Sequence, residues 1–117
     1  NFIYIEDLLD AWEAVIRNPE KCAGEIFCLG PDNSIRISDY VDLIASKMGW
    51  EGTVHWDKKP ERPGEIFLLN SSNAKITEKL GWEPKTTLSE GLDQTIAVWK
   101  DIHSKNAKFK NITNIIA

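Results

Sequence analysis

Cysteine is scarce in this sequence. Cys22 and Cys28 are the two thiols among 117 residues, too few and wrongly spaced for a zinc site with the histidines. A reduced, cytoplasmic setting fits this usage, with one disulfide between the pair left open. No apolar run approaches the roughly 20 residues that span a bilayer, and no signal peptide is visible, so no membrane partner is expected. Basic residues are outnumbered, 14 against 18 acidic, and are scattered. A nucleic-acid surface needs clustered Lys and Arg and is excluded as a class. A short anionic ligand needs only one or two well-placed cations. The seven glycines, at 24, 30, 49, 52, 64, 81 and 91, never stand one residue apart. The G-x-G-x-x-G turn that cradles a dinucleotide pyrophosphate is therefore missing, and no cofactor is expected in this chain.

What is present describes a small folded unit. Hydrophobic residues make 42% of the chain and charged ones 27%, with five tryptophans, a composition able to build a modest core at the size of one domain. Residues 2–5 read as a short strand, followed by a helix from Glu6 to about Arg17 with Leu8, Leu9, Trp12, Val15 and Ile16 on one helical face. Asn18-Pro19 ends it. Residues 25–29 and 53–56 read as strands, and 35–37 as extended. Ser38 is placed to cap a helix that stops at Gly49. After a charged Pro/Gly loop at 57–65 comes the apolar run 66–69. Asn70 is placed to cap a helix ending at Gly81, and Thr87 and Glu90 have capping-box spacing for a last helix. From Ser104 the sequence reads as a frayed tail.

Few residues look catalytic. No tyrosine is followed four residues later by lysine, as short-chain dehydrogenases require: Leu8 follows Tyr4 and Ile44 follows Tyr40. His55 and His103 have no Ser or Cys nucleophile in a glycine elbow beside them. Glu6 and Asp10 lie one helical turn apart, but acidic residues there are explained by the helix dipole, and Asp7 reads as a cap or first-turn residue. The tryptophans read as core or interface packing.

Several segments, in order, carry a resemblance: FIYIEDL at 2–8, GEIFCLG at 24–30, IRIS at 35–38, RPGE at 62–65, LGWEPK at 80–85 and the helix opening at 87–92. Together they resemble the C-terminal part of the NAD-dependent epimerase/dehydratase family, extended short-chain dehydrogenases acting on sugar nucleotides. The likeness runs from residue 1 to about residue 100. In that family NAD is held by an N-terminal Rossmann domain and the nucleotide-diphospho-sugar lies against a smaller C-terminal domain. The resemblance makes Arg62 and Glu65 the substrate-binding residues, the arginine for the diphosphate and the carboxylate for the ribose hydroxyls. A guanidinium presents paired donors to phosphate oxygens, and a carboxylate accepts from vicinal hydroxyls. Two departures stand against it: a family arginine falls just before Asn1, and an asparagine stands where this chain has Cys28. Arg36 reads as a surface residue.

The expected fold is α/β, short strands interleaved with about four helices and no complete Rossmann sheet. One domain is expected over 1–103 and a flexible tail over 104–117. The abrupt opening at Asn1 reads as a fragment of a larger enzyme, inactive alone, whose partners are a nucleotide-diphospho-sugar and its own Rossmann domain, with self-association through the uncovered face. The alternative is a stand-alone nucleotide-binding or protein-interaction module without catalysis.

Overall fold

The computed structural model describes residues 2–31, 34–56, 63–66, 68 and 70–105. Over these residues the chain forms helices α1 (Ile5–Arg17), α2 (Pro19–Cys22), α3 (Ile37–Met48), α4 (Ala74–Leu80) and α5 (Leu88–Lys105). No strand is present among the described residues. The expected α/β fold is thereby corrected to helices joined by irregular connections.

The physical reason lies in the backbone pairing. A strand exists only where its N–H and C=O groups meet those of a neighbouring strand, and β-type composition reflects a packed, pleated surface more than a backbone preference. Residues 25–30 have that composition, yet side chains satisfy backbone groups of Leu29 and Gly30. The Leu29 carbonyl accepts the Ser71 hydroxyl at 3.1 Å. The Asn73 side chain accepts the Gly30 N–H at 2.9 Å and donates to the Gly30 carbonyl. A side-chain amide thus stands where a ladder partner was expected.

Helix ends follow local chemistry with small shifts. Asn18 closes α1, and Pro19 opens the short α2 from its first position, where its missing N–H costs nothing. α3 begins two residues earlier than a Ser38 cap implies: Arg36 is the extended N-cap residue, at φ −68° and ψ 146°, and the Ser38 hydroxyl reaches Asp39 instead. α4 begins after Asn73, not Asn70, and the Ala74 N–H donates to the Ser72 hydroxyl at 3.2 Å. Gly49 and Gly81 close α3 and α4 at φ 66° and 67°, a left-handed conformation that a side chain would strain. The capping box of α5 closes as its spacing predicts. The Thr87 N–H donates to Glu90 Oε2 at 3.0 Å, and the Glu90 N–H donates to Thr87 Oγ1 at 3.3 Å. The Thr87 hydroxyl and N–H together hold the Glu90 carboxyl below its ordinary pKa, because both bonds favour the charged form. Ser104 and Lys105 complete α5, and the rest of the expected tail lies outside the described residues.

The core is small. Ala11 of α1, Ile76 of α4 and Trp82 pack together, with Ile3, Val15, Phe27, Leu29 and Leu80 around them. Trp82 is the buried tryptophan among the described residues, while Trp12, Trp50, Trp56 and Trp99 stay out of the core. α1 turns one face inward through Ala11 and leaves a second stripe in solvent. Ile5, Leu9, Trp12 and Ile16, spaced four, three and four apart, are 54, 53, 62 and 71% exposed, an uncommon state for four aligned large apolar side chains.

An ion cluster ties α4 to the connection after α2. Lys75 Nζ lies 2.6 Å from Glu25 Oε2, and Lys79 Nζ pairs with Glu25 Oε1. Hydrogen bonds from Lys75 and then Lys79 hold the Glu25 pKa at about 2. A carboxyl depressed in the folded state stabilises fully above its unfolded pKa and loses that contribution as pH falls through the folded value. Stability is therefore expected to drop more steeply between about pH 4.5 and pH 2 in the native chain than in Glu25→Gln, read by urea midpoints at stepped pH. Parallel curves for the two proteins would remove Glu25 from the acid response.

Candidate functional site

Three connections enclose the main cleft. It has a volume of about 480 Å³ and is lined by Phe2, Ile3 and Tyr4 before α1, by Pro31, Ser34 and Ile35 before α3, and by residues 84–88 leading into α5. That volume lies in the range of small-molecule sites. The rings of Phe2 and Tyr40 stack with centroids 3.8 Å apart and planes at 10°, which ties the first wall to α3. The Tyr4 hydroxyl donates to Gln94 of α5 at 2.8 Å. A Cβ built at Gly91 would lie 3.1 Å from the Tyr4 ring, so this helix position must be small for the first wall to lie against α5.

The second and third walls are held from beneath by buried polar groups. Asp7 is 4% exposed and Asn73 5%. Asp7 Oδ1 accepts the Lys85 N–H at 3.1 Å, and Oδ2 accepts the Thr86 N–H at 3.0 Å. Asp7 therefore does more than occupy a first helical turn: its carboxylate crosses the fold to the wall at 84–88. Asn73, at the N-cap position of α4, makes no side-chain cap bond there and pairs with Gly30, beside Pro31 of the second wall. At the rim, Lys85 Nζ lies 3.1 Å from Asp10.

The lining is mostly apolar, and its residues with polar side chains are Tyr4, Ser34, Lys85, Thr86 and Thr87. None of the lining residues is Asp, Glu, His or Cys. Such a cleft can bind and orient a ligand, and among the described residues its lining holds no carboxylate, imidazole or thiol.

The residues singled out from sequence are distributed as follows. Arg62 lies outside the described residues. Glu65 is exposed directly after the turn at Pro63 and Gly64, where Gly64 takes φ 80°. Arg36 is exposed at the start of α3. His55 is exposed, and His103, also exposed, meets the edge of Trp99 at 5.9 Å. Glu6 and Asp10 form no acid/base couple, since Asp10 is engaged by Lys85. Cys22 is buried and Cys28 exposed, both free thiols. Sequence reasoning missed the clamps made by Asp7 and Asn73. Each is a residue type expected at a helix start, which hid its long-range bonds.

Nicotinamide binding finds no fit in these residues. The positive-φ glycines Gly49 and Gly81 close helices, and Gly24 and Gly64 lie in turns. None opens a helix after a strand, as a pyrophosphate-binding turn requires. No helix among the described residues is long and apolar enough to cross a membrane.

Comparison with known proteins identifies a set of relatives. The chain is 26% identical over 114 residues to UDP-D-apiose/UDP-D-xylose synthase 1 of Arabidopsis thaliana, matching 81% of this chain and 28% of that protein. It is 30% identical over 96 residues to GDP-L-fucose synthase 1 of the same plant, across 80% of this chain and 28% of the relative. A putative UDP-glucose 4-epimerase of Methanocaldococcus jannaschii is 26% identical over 96 residues, with 82% and 29% covered. The chain is similar to sugar-nucleotide enzymes. It spans little more than a quarter of their length. No family model matches the chain, and no solved structure matches it significantly.

Proposed function

We propose that this chain is the substrate-binding part of an NAD-dependent sugar-nucleotide epimerase or 4,6-dehydratase, holding a nucleotide-diphospho-sugar while chemistry is done elsewhere. The observation that carries the reading is the match across four-fifths of this chain to enzymes named for UDP- and GDP-linked sugars. A mostly apolar cleft of about 480 Å³ with hydroxyl-bearing residues and one lysine among its described lining supports a binding role.

In this reading the cleft takes part of the ligand, and Arg62 and Glu65 contact the diphosphate and ribose. The parent enzyme oxidises a sugar hydroxyl with NAD bound outside this chain, forms a keto-sugar, and returns hydride after elimination or inversion. Binding energy spent on the nucleotide, remote from the reacting carbon, orients the sugar. The exposed stripe of α1 is the face that meets the nicotinamide-binding domain of the parent enzyme.

Calorimetric titration with UDP, GDP, dTDP and CDP tests the reading. A half-site is expected to bind one of them weakly, on the order of 1 mM, and Arg62→Ala is expected to abolish the heat. If none of the four binds, either to this chain or to the chain joined to its cofactor-binding portion, the reading is wrong.

A further inference from the structure

A buried polar side chain is retained at a cost unless its bonds are made, so the two in this fold mark where precision matters. Asp7 and Asn73 are the buried polar residues among the described ones. Both stand at helix starts, in the first turn of α1 and at the N-cap position of α4, where their side chains would ordinarily bond the nearest free N–H groups. Both are turned to distant peptides instead. Each reaches across the chain to a peptide, 78 and 79 residues on for Asp7 and 43 residues back for Asn73.

These peptides belong to the same cleft. Lys85 and Thr86 line it directly, and Gly30 precedes the lining residue Pro31. Each clamp uses two hydrogen bonds to backbone. Paired bonds fix orientation as well as distance, because rotating the wall breaks one of them. The charge on Asp7 strengthens its pair. The wall segments are irregular backbone with no strand ladder among the described residues, so their spacing rests on individual contacts, of which the clamps are the two that reach wall peptides from buried side chains.

We propose that Asp7 and Asn73 are positioning residues that pre-form the cleft, each fixing one wall through the backbone. The inference rests on the functional reading above only for the identity of the ligand. Pre-formed walls lower the ordering cost of binding, so the clamps are expected to affect affinity without touching the ligand.

Amide hydrogen exchange by NMR on the full 117-residue chain tests the clamps, with UDP and GDP titrations alongside. Asp7→Asn keeps the shape but replaces one accepting oxygen with a donor. It is expected to speed exchange at Lys85 and Thr86 at least tenfold while Gly30 is unchanged. Asn73→Asp removes the donor to the Gly30 carbonyl and is expected to do the reverse. Amides within α5 should keep their rates in both, which separates loosening of a wall from global unfolding. Asp10→Asn, which removes only the exposed pair with Lys85 Nζ, should leave all of these amides unaffected. Should either variant unfold, the other decides the question through its own wall.

Each clamp variant is also expected to weaken binding of whichever nucleotide the native chain takes by about tenfold, with melting temperature shifted far less than a core substitution shifts it. Unchanged exchange at Lys85, Thr86 and Gly30 would overturn the proposal, as would loosened walls with undiminished affinity. If the native chain takes up neither nucleotide, exchange alone decides whether the clamps hold the walls, and the functional reading is decided by the titration of the chain joined to its cofactor-binding portion.

Discussion

Ile76→Ala is expected to cost about 2–5 kcal/mol of folding stability, the range for emptying a fully buried aliphatic site. Ile76 is 1% exposed and sits between Ala11 and Trp82, with Leu80 and Val15 beside them. Three elements meet at this side chain: α1 through Ala11, α4 through Ile76 itself, and the connection after α4 through Trp82. Little can move in to fill the gap. Ala11 is on a helix that Asp7 anchors to Lys85 and Thr86, and the Thr77 hydroxyl donates to the Trp82 carbonyl at 2.9 Å. Against a total stability of about 5–15 kcal/mol for a domain of this kind, the loss is a large fraction. Urea unfolding should show a lower midpoint with an unchanged slope. Ile66→Ala, at a side chain 73% exposed, should stay within about 0.5 kcal/mol. A change of less than about 1 kcal/mol at Ile76 would mean that the core lies elsewhere.

The second large effect concerns association, not folding. Trp12→Ser with Ile16→Ser removes half of the exposed α1 stripe. Both side chains are already more than half in solvent, so the stability of the isolated chain should hardly move. Burial of each at a contact would contribute about 1.5–3 kcal/mol. Losing both should weaken any association through this face by about a hundredfold or more. The native chain, with the stripe uncovered, is expected to rise in mean mass across a concentration series in light scattering, and the double variant to remain monomeric. Identical mass for the two proteins at every concentration would take α1 out of the reading as a contact face.

Much of the candidate site was legible only in part. The connections that line the cleft correspond to segments singled out in the sequence: 2–4 inside FIYIEDL, 84–85 inside LGWEPK, and Ile35 at the start of IRIS. Their convergence on one cleft was not legible, because nothing in a local segment announces a partner dozens of residues away. The same limit explains Asp7 and Asn73. An acid in a first turn and an asparagine at an N-cap each have a sufficient local explanation, and the local explanation concealed the distant bond. The tryptophans show the limit for burial: all five sit beside apolar neighbours in sequence, and among the described residues Trp82 is the one buried in the core.

The sequence by itself determined four of the five helices, within a few residues, and several of their ends: apolar positions spaced for α1, glycines closing α3 and α4, proline ending α1, and the Thr87–Glu90 box opening α5, while the short α2 was not read from it. These features act within about one helical turn, so a short stretch of chain contains all their causes. Tertiary structure alone decided that residues 25–30 are not a strand and that Asp7 and Asn73 serve the cleft walls. It also decided which side of α1 is buried against Ile76. Each of these outcomes depends on which group meets a backbone N–H, carbonyl or apolar face from far along the chain, and that is settled only when the elements pack.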